Sequence, residues 1–252
     1  SGNGLLSNAI FNDQYENKTG GAIQVRYTVV PVSIDGCLGL PAEIVTLTVN
    51  PEPILSAALD KTVCSRTASA ITLAVATGSF PASTYNITNI NNNGLVSSGG
   101  APVTGTGFNA GEIANDAWIN TTAFPVDVEY TIRPVSIAPL SCVGDPVVVK
   151  LTITPEPTGN AIPKVARCSD NDVLGVAYTL TTSTVAATSF TIVTNSNGLT
   201  QSAGTVSAGA GKTATELIDD AWTNTGLLPV DVDYQITPFN GTCAGTSYTV
   251  SV

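Results

Sequence analysis

A lysine behind a glycine, two carboxylates side by side and a pair of aspartates in a loop are the groups in this chain with catalytic or ligating potential. AGAGKTAT, from Ala208 to Thr215, ends like a phosphate-binding loop, in which backbone amides cradle the phosphate and a lysine reaches it. That loop needs a further glycine five residues before Gly211, where Val206 stands. An in-phase stretch elsewhere, TGTGFNAG, carries no lysine, so the segment is expected to be a turn.

Acid pairs Asp127/Glu129 and Asp231/Asp233 sit at i and i+2 of strand-like runs, which sends both carboxylates to one face. General acid–base work needs two carboxyls held in different environments within a pocket, and two acids on a wet strand face lack that contrast. Histidine is absent, and so is a G-x-S-x-G nucleophile turn. The chain is therefore expected not to be an enzyme. Calcium has one candidate place, Asp170 and Asp172 in CSDNDV, with Glu52 and Glu156 as further acids. Six or more oxygens are required, and the equivalent stretch CSRTAS has no acid, so the expectation is no cofactor with calcium as the open alternative.

The elements that would hold such groups are strands. Val, Ile, Thr and Tyr alternate in AIQVRYTVV, EIVTLTV, STYNITNI, DVEYTIRPV, VVVKLTI, SFTIVT and DVDYQITPF, a period of two that places one face in a core and the other in water. INNNGLVSSGG and TNSNGLTQSAG between them suit tight turns, because Gly and Asn accept positive φ cheaply. NAGEIANDAWIN and TATELIDDAWTN are expected to be short helices. Many short strands with regular turns predict an all-β fold of antiparallel, immunoglobulin-like sandwiches, each with one short helix.

Composition removes several classes of function. Hydrophobic residues make up 43% of 252, enough for real cores. A net charge of −10 without a basic stripe excludes a nucleic-acid partner. No apolar run reaches the roughly 18 residues of a membrane span, so no transmembrane segment is expected. SGNGLLSNAI lacks the basic start and apolar stretch of a signal peptide, which leads us to expect a processed chain or part of a longer one.

Internal repetition organises the rest. DAWINTTAFPVDVEYTIRP and DAWTNTGLLPVDVDYQITP place Trp118 and Trp222 104 residues apart, and Pro-Glu-Pro recurs at Pro51 and Pro155 with the same spacing. Proline cannot continue a β-ladder, so each Pro-Glu-Pro is expected to be a short semi-rigid joint. The predicted units are 1–50, 51–154 and 155–252. The first carries only the second half of a repeat, with Tyr27 matching Tyr130 and Tyr234. Half a sandwich exposes its core, so its missing strands are expected from upstream chain or from a neighbouring molecule.

Cysteines follow the same phase. Aligning the repeats pairs Cys64 with Cys142 and Cys168 with Cys243 inside single units, and leaves Cys37 unpaired or paired externally. Two in-phase bonds suit an oxidising compartment, and free buried thiols are the alternative.

The order of W-x-N-T, then V-x-Y-T-x-x-P-x-S, Cys-x-Gly, a VTLTV-like strand and Pro-Glu-Pro resembles the PKD-like, immunoglobulin-like repeats of giant Bacteroidota surface adhesins, including the gliding-motility adhesin. The resemblance covers the whole chain. It implies an extracellular, cell-surface segment, attached at the outer membrane or in a filament, that mediates attachment or gliding. Its partners would be neighbouring repeats or copies of itself, and surface polysaccharide. Trp118 and Trp222 stand where that family usually has Leu, so they are expected, with Tyr27, Tyr130 and Tyr234, to anchor cores. Two other readings are carried forward: a filament subunit assembled by strand complementation, and a carbohydrate-binding module using the tryptophans as stacking platforms.

Overall fold

A computed structural model describes residues 4–171, 178–205 and 207–252. The second repeat is the most complete. It contains β3 (Lys61–Cys64), β4 (Ala82–Asn91), β5 (Val96–Gly99), β6 (Gly105–Phe108), β7 (Ala117–Ile119), β8 (Val126–Ser136) and β9 (Val147–Thr154). Five of these form one sheet in the order β3-β9-β8-β4-β6, and β5 pairs with β7 in a second, smaller sheet. All contacts are antiparallel except β3 on β9, which run parallel from Lys61↔Leu151 to Cys64↔Thr154.

Alternation along the strands builds the core. Val128, Tyr130 and Ile132 of β8 and Val149, Leu151 and Ile153 of β9 are buried, while the residues between them face outward. They cluster with Tyr85 and Ile87 of β4 and with Leu55, Ile71, Leu73, Leu95, Ile113 and Trp118 from the opposite layer. Each large apolar side chain buried this way contributes about 1.5–3 kcal/mol.

The third repeat repeats the plan with β10 (Ser189–Asn195), β11 (Thr200–Ala203), β12 (Gly209–Lys212), β13 (Ala221–Thr223), β14 (Asp233–Asn240), β15 (Cys243–Ala244) and β16 (Tyr248–Ser251). Phe190, Ile192, Leu217, Val232, Tyr234, Ile236 and Val250 form its core. Among the described residues it has no counterpart of β3, and the stretch before Cys168 is irregular. AGAGKTAT contributes β12 and the turn after it; Val206, the residue that breaks the phosphate-loop pattern, lies outside the described residues.

The first repeat is a hairpin of β1 (Ile23–Val29) and β2 (Glu43–Val49), paired from Ile23↔Val49 to Val29↔Glu43. The residues equivalent to the buried faces of β8 and β9 are less covered here, with Val29 40%, Val45 44% and Leu47 40% exposed and Val25, Tyr27 and Val49 half-buried.

One element differs from expectation. NAGEIANDAWIN and TATELIDDAWTN are not helices, and no α-helix occurs among the described residues. Residues 110–115 form successive turns whose bonds span three residues, such as Ala114 N–H to the Gly111 carbonyl. Tertiary partners decide this. The carbonyls of Ala110, Ala114 and Asp116 accept from Leu73, Ala70 and Ser69 N–H groups, and Ile113 accepts from the Ser69 hydroxyl. Those bonds hold residues 110–116 in the turn geometry, and a segment this short could not nucleate an α-helix cheaply.

Candidate functional site

Two constellations recur in phase, one inside each repeat and one between repeats. Inside, a tyrosine from the long central strand reaches back to an aspartate 14 positions earlier. Tyr130 Oη donates to Asp116 Oδ2 at 3.0 Å and accepts from Trp118 Nε1 at 3.0 Å. Tyr234 Oη does the same with Asp220 at 2.8 Å and Trp222 at 2.8 Å. In the first repeat Tyr27 Oη donates to Asp13 at 2.8 Å, and Tyr15 takes the place of the tryptophan.

Burial separates the three copies. Trp118 and Tyr130 are buried, as is Tyr234, while Trp222 and Tyr27 are half-buried. Water exclusion shifts the acids. Burial pushes the Asp116 carboxyl up to about 6, partly offset by the Tyr130 hydroxyl. Asp220 is raised by burial too, against hydrogen bonds from Ser207 and Tyr234. These aspartates were missed in the sequence; their signal was the constant spacing from Asp to Tyr in all three copies. Each acid is tied to a phenol, which fastens the central strand to the turn before it, and Asp220 also borders a groove of about 490 Å³ at the end of the third repeat.

Between repeats lies the joint. Pro51, Pro53, Pro155, Glu156 and Pro157 are buried, so each Pro-Glu-Pro is held in protein instead of spanning solvent. Each joint begins at the end pole of one repeat: Glu52 N–H donates to the Asn17 carbonyl at 2.9 Å, and Glu156 N–H to Asn120 at 3.0 Å. Asn120 is itself fully buried and its Nδ2 donates to the Ile153 carbonyl at 2.8 Å, which ties the turn before β8 to the end of β9. Each joint ends against the Cys-x-Gly turn of the next repeat. A Cβ on Gly144 would overlap the Pro53 carbonyl oxygen, and one on Gly245 the Pro157 oxygen, so only glycine permits this approach.

Charges clamp the second joint. Arg66, held at φ 64° just after β3, sends Nε to Glu156 Oε2 at 2.8 Å and Nη2 to Oε1 at 3.1 Å. At the first joint no described residue replaces Arg66. Glu52 Oε1 is buried without a hydrogen bond, with the Lys18 ammonium 4.0 Å away. Burial raises the Glu52 carboxyl, and Asp145 and Glu16 add to the rise. Glu16, Glu52 and Asp145 come together around that ammonium, with Lys18 Nζ 2.7 Å from Asp145.

The cysteines require a correction. Cys64 is bonded to Cys243, with Cα atoms 5.3 Å apart, while Cys37, Cys142 and Cys168 are free. Neither expected intra-repeat bond, Cys64–Cys142 or Cys168–Cys243, is present. Cys64 lies at the end pole of its repeat, paired with Thr154, whereas the Cys-x-Gly turn lies at the start pole, against the incoming joint. The bond therefore crosses from the end of the second repeat to the start of the third. Thr154 Oγ1 lies 3.1 Å from Cys243 Sγ beside it.

Of the calcium candidates, Asp170 accepts from the Thr223 and Ser169 hydroxyls, and those bonds hold its carboxyl below the usual range. Asp172 lies outside the described residues. Asp127 accepts from Thr152 Oγ1 at 2.6 Å, and Asp233 from the Ser251 hydroxyl, so those acids bond along the outer sheet face. No helix among the described residues is long and apolar enough to cross a membrane.

A family model described as PKD-like domain matches residues 3–53, 61–157 and 165–252. No curated protein matches the chain.

Proposed function

The chain belongs to the PKD-like domain family, matched over three consecutive segments of which the first is about half a repeat, and on that footing we propose that it is a non-catalytic structural segment of an extracellular, cell-surface adhesin. Its task is mechanical: stacked β-sandwiches hold an adhesive surface, with polysaccharide as the ligand class, away from the cell during attachment or gliding. The observation that carries this reading is the Cys64–Cys243 bond across the second joint. A structural disulfide suits an oxidising, extracellular setting, and a bond between repeats resists separation of repeats under load.

Force gives the test. Pulled from its ends, the chain passes load from Cys64 directly to Cys243, so the 179-residue separation between them is locked out of the extension. Adding reductant should release roughly 600 Å of extra contour, at about 3.3–3.6 Å per residue. Equal extension with and without reductant would remove the mechanical reading.

A second reading is favoured by the first repeat. β1 and β2 expose the apolar faces that their counterparts bury, and an open hairpin cannot offset the roughly 1–2 kcal/mol per residue lost on ordering its backbone. Strand complementation from a neighbouring chain would cover that face and yield a filament. Concentration-dependent protection of Val25 and Tyr27 amides from exchange would support it, and concentration-independent exchange would exclude it.

A further inference from the structure

The bond between Cys64 and Cys243 joins two positions that the repeat supplies again. Cys168 is the counterpart of Cys64, and its loop is built the same way. Ser65 Oγ accepts from Asn120 N–H at 2.9 Å, and Ser169 Oγ accepts from Asn224 N–H at 2.9 Å. Arg66 N–H donates to the Trp118 carbonyl at 2.8 Å, and Asp170 N–H to the Trp222 carbonyl at 3.0 Å. Arg66 and Asp170 share a left-handed backbone, with φ of 64° and 60°. The loop that presents Cys64 thus presents Cys168 too, and the Cys168 thiol is exposed.

The other half of the bond is equally repeated. Gly39, Gly144 and Gly245 each donate N–H to a proline carbonyl, that of Pro31 just after β1, Pro134 in β8 and Pro238 in β14, at 2.8 Å. The Cys-x-Gly turn at the start pole is therefore a standard part of each repeat. Around Cys168 the end pole has a groove of about 490 Å³ lined by Ser169, Trp222, Leu228 and Val252, and in the second repeat the matching space holds Ile153 and Glu156, which bond Asn120. Leu228 is largely exposed there, as its counterpart Phe124 is on the second repeat. On the second repeat the corresponding pole carries the third repeat, with Cys243 against Cys64 and Thr154.

We propose that Cys168 forms the same lock one step along: a disulfide to the Cys-x-Gly cysteine of a further PKD-like repeat, seated head-to-tail on the third as the third sits on the second. The inference rests on reading the chain as stacked repeats and adds that the end pole of the third repeat carries a staple like that of the second. Bond formation removes one proton and one electron from each thiol, and a low-molecular-weight disulfide such as oxidised glutathione accepts them, giving two reduced thiols and one protein S–S bond.

The test extends residues 1–252, in one polypeptide, by a second copy of residues 152–252. β16 pairs Val250 with Tyr234 as β9 pairs Val149 with Tyr130, so Val252 stands level with Leu151 and Thr152 continues the strand in register. After oxidation with glutathione, digestion without reductant should join the Cys168 peptide to the appended Cys-x-Gly peptide, as completely as Cys64 is joined to Cys243. A Cys168 that alkylates freely, in molecules with Cys64–Cys243 intact and the appended repeat resistant to protease, overturns the proposal but leaves the stacked-repeat reading standing. Loss of Cys64–Cys243 itself would strike that reading instead. If the appended repeat is digested, the unextended chain is oxidised at high concentration: Cys168 joined to Cys37 or Cys142 of a second molecule supports the lock, and Cys168–Cys168 pairs alone, or no bond, overturn it.

Discussion

Cys64 and Cys243, 179 positions apart in sequence, are covalently joined across the joint between the second and third repeats, with Cα atoms 5.3 Å apart. That separation is ordinary for a disulfide. A bond closing so long a loop restricts the unfolded chain by on the order of 5 kcal/mol in the chain-entropy description.

Cys64→Ser should therefore destabilise the second and third repeats together, while Cys142→Ser leaves stability within about 0.5 kcal/mol. Denaturant titration of both variants, with the unmodified chain under reductant as reference, checks this. Equal midpoints for Cys64→Ser and the oxidised parent would show that the staple is energetically idle.

Glu156 has a side chain only 2% exposed and depends on Arg66. Arg66→Met should leave a buried carboxylate without its partner and cost about 3 kcal/mol, whereas Arg66→Met combined with Glu156→Gln should recover a good part of it. Cleavage by protease within residues 155–160 is the readout, rising in the single variant and falling back in the double.

Glycine at the joint is a steric requirement. Gly245→Ala pushes a methyl group into the Pro157 carbonyl, so the start pole of the third repeat must tilt away. The expected outcome is incomplete formation of Cys64–Cys243, seen as alkylation of both cysteines in the variant. Full bonding would mean that the joint has slack that the packing denies.

Asp116 binds its proton more tightly in the folded than in the unfolded state, because burial raises it from 3.8 to about 6. Its contribution to stability is then full below about pH 4 and is lost as pH rises through 6, at most roughly 3 kcal/mol. Asp116→Asn should narrow the difference in stability between pH 4.5 and 7.5, read as the shift in denaturation midpoint. Asp220, raised in the same direction, carries the third repeat's share and needs its own Asn variant.

Trp118 is 3% exposed, while Trp222 is half-buried beside the open groove. Trp118→Ala should cost about 3–5 kcal/mol, the range for a buried large aromatic. Trp222→Ala should cost clearly less, since part of its ring already meets water. Matching losses in thermal melts of the two variants would contradict the difference in burial.

The sequence alone determined the strands, the repeat and the joints. Alternation along VDVEYTIRP is a property of neighbouring residues, so period two reveals β8 and its buried Val128, Tyr130 and Ile132 with no knowledge of what covers them. Proline and glycine act just as locally, which made Pro-Glu-Pro and Cys-x-Gly legible as punctuation. Tertiary structure decided whatever depends on a partner brought from elsewhere. Phase places each cysteine within a repeat, but Cys64–Cys142 and Cys64–Cys243 are equally in phase; only the stacking of an end pole on a start pole selects the second. NAGEIANDAWIN has a helical pattern, yet its carbonyls are taken by the chain near Ser69, a competitor that no local window contains. Asp116 reads as an exposed acid until Tyr130 folds back over it, because burial of a charge is fixed by distant atoms that exclude water, not by the residues beside it.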